Sequence, residues 1–164
     1  MAASTFVYVT YIRTTQEKLW QALTDPAFTR RYFMATTHDS QWKKGAAWRM
    51  VTPDGMVTDS GEVLEIDPPT RLVLKWRNEF MPELKAEGYS RMTYNLEPAG
   101  ELVKLTVTHE MDRPGSQVIK AVSGGWPMIL ASLKSFLETG EAFECTRTWP
   151  PKDKCAGQAA LEKA

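Results

Sequence analysis

Two histidines, His38 and His109, are the side chains of this sequence whose ordinary pKa lies near neutrality. His109 sits in ELVKLTVTHEM (101–111), on the same strand face as Val103, Leu105, Val107 and Met111. A histidine on an apolar face either serves as a buried, hydrogen-bonded structural group or donates to a ligand carbonyl and moves a proton. No nucleophile or carboxylate is tied to His109 by spacing; Asp59 and Glu62 are candidate neighbours only across a sheet. Two distant histidines do not make a zinc set. The chain also lacks GxGxxG, P-loop, GxSxG and HExxH patterns. No catalytic residue, metal ligand or cofactor is therefore assigned.

Aromatic side chains carry the stronger signal. Six tryptophans in 164 residues exceed what packing in a small domain ordinarily needs. Trp48, Met50, Trp76, Met92 and Tyr94 fall on strand faces read as inward. Phe80 lies in RNEFMPELKAEGY (77–89), a link too long for a plain hairpin and suited to cover a mouth. Together with His109, Trp126 and Leu130, these residues form the candidate ligand-binding set: an apolar chamber in which Tyr94 OH or Trp76 N–H would direct a ligand. The competing reading is a filled core.

These residues need elements to hold them. FVYVTYIRT (6–14) reads as a strand. TTQEKLWQALTD and AFTRRYF read as two short helices, the first with a capping box from Thr14 to Glu17, the second started by Asp25-Pro26. Strands follow at 46–52, 57–66, 71–78, 88–97 and 101–111, with a short extra strand near 39–42. Their alternation buries one sheet face. The period of Ile119, Val122, Trp126, Ile129, Leu133 and Leu137 then predicts a long helix ended by Gly140. Within SGGWPMILASLKSFLETG (123–140), Gly124, Gly125 and Pro127 predict a break in that helix, restarted at Pro127, with Trp126 facing the space beside it. The fold class is α+β: a curved antiparallel sheet gripping a long C-terminal helix, with a domain over residues 1–143 and a tail over 144–164 that holds Cys145 and Cys155.

Composition excludes some partners. Lys+Arg and Asp+Glu balance at 20 each, which offers no field to draw nucleic acid. No apolar run reaches membrane-span length, and MAASTFVYVTYIRT lacks a signal-peptide pattern. With both cysteines confined to the tail, a cytoplasmic location is expected.

Three stretches carry a resemblance: LWQALTDPAF, GEVLEIDPPTRLVLKW, and LTVTHE followed by GGWPMILASLKSFLETG. Their order resembles the START-like (SRPBCC, helix-grip) superfamily, which includes the birch-pollen allergen and polyketide cyclases. Within it the chain is similar to the branch related to the C-terminal domain of the activator of the 90-kDa heat-shock protein ATPase. The resemblance covers roughly residues 6–143. It implies a helix-grip fold and a cavity between sheet and helix. The eukaryotic activator engages its chaperone with two domains, and no such domain stands ahead of residue 6, so a chaperone partner is not expected. The leading expectation is a small hydrophobic or aromatic ligand held in the cavity. A cyclase- or hydrolase-like enzyme using the same pocket, with His109 or Tyr94 moving a proton, and a protein-interaction module or homodimer are the alternatives.

Overall fold

A computed structural model of the chain describes residues 3–150. The first strand, β1 (Ser4–Ile12), is followed by helices α1 (Gln16–Thr24) and α2 (Pro26–Tyr32). Six strands come next: β2 (Thr37–Ser40), β3 (Ala47–Val51), β4 (Val57–Asp67), β5 (Arg71–Asn78), β6 (Ser90–Ala99) and β7 (Leu102–Met111). A short helix, α3 (Pro82–Lys85), interrupts the β5–β6 link, and α4 (Gln117–Thr139) closes the fold. All pairings are antiparallel in the order β1-β7-β6-β5-β4-β3-β2, so the chain's first strand docks beside its last. The curved seven-stranded sheet and the long C-terminal helix make the α+β helix-grip arrangement.

Local chemistry explains most boundaries. The N-cap of α1 is Thr15, whose side chain accepts from Lys18 N at 3.1 Å, one residue later than the expected box at Thr14. Asp25 ends α1 through its own N–H and starts α2 by accepting from Ala27 N, with Pro26 in the first turn. Gly140 terminates α4 at φ +87°, a conformation that Cβ-bearing residues rarely adopt.

The expected break in α4 does not occur. The helix runs uninterrupted through Gly124, Gly125 and Pro127. Pro127 removes one N–H and thus one intrahelical bond, at a cost of about 3 kcal/mol in an isolated helix. Packing outweighs that cost: Trp126, Ile129, Leu130 and Leu133 are all buried against the sheet, on both sides of the proline. The N-terminus of α4 gains a tertiary cap as well. Ser116 accepts from Ile119 N at 3.2 Å, while the Glu87 carboxylate accepts from Ser116 Oγ at 2.6 Å and from Gln117 N at 2.8 Å. An anion at this end also complements the helix dipole.

The inward face of β7 carries Val103, Leu105, Val107, His109 and Met111, all buried, as the alternation predicts. Gly61 of β4 is needed for a close approach rather than for a turn. It pairs with both Trp48 and Trp76, whose rings meet with centroids 4.7 Å apart. Trp48 Nε1 reaches across this gap to donate to Lys75 O at 2.8 Å. A Cβ on Gly61 would lie 1.7 Å from that same carbonyl oxygen. Gly61→Ala is therefore expected to force β4 and β5 apart and to destabilise the protein by about 3 kcal/mol or more, read by urea unfolding. A loss under about 1 kcal/mol would show that the strands shift freely there.

Candidate ligand cavity

Between the β3–β5 part of the sheet and the first half of α4 lies a cavity of about 230 Å³. Its walls come from four directions. The sheet contributes Met50, Asp59 and Trp76; α4 contributes Val118, Val122, Gly125, Trp126 and Ile129. The corner between α2 and β2 contributes Phe33, Met34 and Thr36. Phe80 and Leu84 from the β5–β6 link and Trp149 from the tail complete it.

The link and the tail are both held in place. Asn78 Oδ1 accepts from Phe80 N and Met81 N, and Glu79 pairs with Arg77 at 2.7 Å and Lys85 at 3.2 Å. Burial raises the Glu79 pKa, but bonds from Arg77, Ser60 and Lys85 outweigh that and bring it down to about 2. In the tail, Thr146 O accepts from Met34 N, and Ser132 Oγ accepts from Phe143 N. These bonds bring Trp149 edge-on to Phe80, with centroids 5.3 Å apart, in the cavity wall. Phe143 is exposed at 36%. Cys155 and the chain around it lie outside the described residues.

Of the nine residues singled out from sequence, Met50, Trp76, Phe80 and Trp126 line the cavity. Trp48, Met92, Tyr94, His109 and Leu130 do not line it; they are buried in the core. Trp48 packs on Trp76, and Tyr94 meets Trp126 edge-on at 5.9 Å.

His109 is a structural bridge. Trp126 Nε1 donates to His109 Nδ1 at 3.1 Å. An indole N–H has no acceptor capacity, so Nδ1 is bare and the imidazole proton sits on Nε2. That proton goes to Ser90 Oγ at 2.7 Å, and Ser90 in turn donates to Trp76 O at 3.2 Å. The relay joins α4 to β7, β6 and β5. Burial lowers the His109 pKa to about 3, so the ring stays neutral. The same cause brings His38 to about 3.

The ionisable group that does face the cavity is Asp59, beside the neutral polar Thr36, Thr58 and Asn78. Sequence reading placed it only as a neighbour of His109, although its strand parity with Gly61 and Val63 marks it as inward-facing. Asp59 is 8% exposed, and its Oδ2 accepts from Trp76 Nε1 at 2.8 Å. Burial raises its pKa to about 6, against the lowering effect of the Trp76 bond. The Thr58 hydroxyl, close by on the same wall, makes no well-aligned hydrogen bond. Among the described residues no cluster of His, Cys, Asp and Glu could hold a metal ion.

A curved antiparallel sheet that grips a long C-terminal helix and leaves an apolar chamber between them is the START-like helix-grip arrangement. Residues 13–138 match the model of the Activator of Hsp90 ATPase homolog 1-like protein family, and the chain belongs to that family. Among solved structures, CalU16 from Micromonospora echinospora superposes with a TM-score of 0.70 at 22% identity, covering 98% of this chain and 85% of its own. Protein MLL2253 from Mesorhizobium loti gives 0.70 at 26% identity, over 82% of this chain and 97% of its own. An HSP90 activator from Plasmodium falciparum gives 0.67 at 21% identity, over 82% and 96%. No curated protein matches the chain by sequence.

The buried groups set an acid sensitivity. The two histidines take up protons near pH 6.5 when unfolded and only near pH 3 when folded, so their contribution is complete above pH 6.5 and is lost as pH falls. Asp59 acts oppositely, holding its proton in the fold up to about pH 6. The net expectation is a loss of roughly 2–3 kcal/mol in unfolding free energy from pH 7 to pH 5, measured with urea, and a larger loss in Asp59→Asn. Equal stability at the two pH values would contradict buried neutral histidines.

Proposed function

We propose that this protein binds a small hydrophobic or aromatic molecule, in the cytoplasm, inside the cavity between the sheet and α4. The observation that carries this reading is the chamber of about 230 Å³ walled by Met50, Trp76, Trp126, Val122 and Ile129. A dry apolar cavity of about 150 Å³ in another protein takes up benzene, so this one has room for a ring with a short substituent. The held positions of Phe80 and Trp149 favour a preformed site, which reduces the ordering cost of binding. Among the described residues no helix is long and apolar enough to cross a membrane.

An enzyme using the same pocket is the second reading, favoured by the one wall carboxyl, Asp59. The residues first considered for proton transfer do not support it. His109 is held neutral in the core, and burial keeps the Tyr94 phenol well above its usual range. A protein-interaction or homodimer reading is favoured by a different feature: Val7, Val9 and Tyr11 stand exposed in a row on the outer face of edge strand β1.

Intrinsic tryptophan fluorescence titrated with flavonoids, polycyclic aromatics and lipophilic amines tests the binding reading, because two tryptophans of the wall, Trp76 and Trp126, would report occupancy directly. Saturable quenching is expected in the wild type. Val122→Phe, which fills the chamber from its half-buried α4 wall, is expected to weaken binding by at least about tenfold with stability retained. Equal binding by the filled variant would place the ligand elsewhere.

A further inference from the structure

The cavity has a sign as well as a size. Asp59 is the one ionisable side chain that lines it among the described residues. From the facing helix come only Val118, Ala121, Val122, Gly125, Trp126 and Ile129, none of which bears charge. Opposite Asp59 in the sheet stand Met50 of β3 and Asn78 of β5. His38 on β2 is neutral, and the charge that acts on Asp59 is the like charge of Glu79. None of the ion pairs formed among the described residues includes Asp59. The donors at its carboxyl are the Trp76 indole and the Thr58 hydroxyl, both neutral, so its charge is left for a ligand to meet.

A buried carboxyl without a cationic partner is costly to keep, and a ligand that brings a positive charge or a strong donor relieves that cost. A ligand carboxylate would do the reverse, setting a second anion beside the first in a low-dielectric wall. Resting on the ligand-binding reading above, we propose that the cavity selects apolar amines, with the ring or chain packed against the joined wall of Trp76 and Trp126 and the ammonium on the Asp59 carboxylate, and discriminates against apolar acids.

The test compares three molecules of one shape, 4-phenylbutylamine, butylbenzene and 4-phenylbutanoate, by calorimetry and by the indole N–H resonances of Trp76 and Trp126 at pH 7.5. The amine is expected to bind at least about tenfold more tightly than the acid. Asp59→Asn is expected to bring amine and acid to within about threefold of each other. In the wild type at pH 5 the preference for the amine over butylbenzene, neither of which titrates in this range, should also shrink, because the carboxyl, with a pKa of about 6, then carries a proton; this arm needs no variant to fold. Binding of butylbenzene and acid as tight as that of the amine would overturn the charge selection and leave the binding site standing. No binding by any of the three, together with a flat fluorescence titration, would overturn both.

Discussion

An indole N–H can donate and cannot accept, and the placing of one such group governs how this protein holds together. Trp126 donates to His109 Nδ1, which forces the imidazole proton onto Nε2 and thence onto Ser90, whose own proton reaches Trp76 O. Each member satisfies a polar atom that would otherwise be buried alone at a cost of about 1–3 kcal/mol. The relay pins the middle of α4 to three successive strands at one height. It also fixes the ring of Trp126, which then becomes the boundary between packed core and open chamber.

On the core side of that boundary, Tyr94 meets Trp126 edge to face at 5.9 Å and 83°. Such geometry puts ring edges on ring faces. On the other side, α4 presents small or short side chains, Ala121, Val122 and Gly125, opposite the sheet, and these do not reach it. The chamber is the space this mismatch leaves. Gly125 matters here for its missing side chain and not for backbone freedom, since the helix runs through it unbroken.

The mouth depends on polar anchors that lie far apart in sequence. Glu87 caps α4 from the end of the β5–β6 link, while Asn78 and Glu79 hold its beginning. Phe80, between these anchors, therefore stands at a defined place against Trp149. The same logic applies to Asp59. Its proton affinity follows first from burial and then from the Trp76 indole, properties of the assembled wall that VTDSGEV alone does not show.

Much of the fold was legible in the residues. Alternation in 101–111, the Asp25-Pro26 junction and the terminal Gly140 each act within a few residues, so period and capping chemistry suffice to place them. Pro127 misled because its local cost is real but smaller than the burial of the apolar stripe that runs past it on both sides. The site was legible only in part. Sequence parity puts Trp48, Met92, Tyr94 and Leu130 on the same inward faces as Met50, Trp76 and Trp126, and there it stops. Which inward residues meet a partner and which meet empty space depends on the curvature of the sheet and the height of α4 above it. By itself, then, the amino-acid order determined the elements, their inward faces and the family. Only the tertiary structure decided that His109 is a buried bridge, that Asp59 is the ionisable group of the chamber, and where that chamber ends. Hydrogen-bond partners and dielectric surroundings are supplied by residues tens of positions away, and no local pattern encodes them.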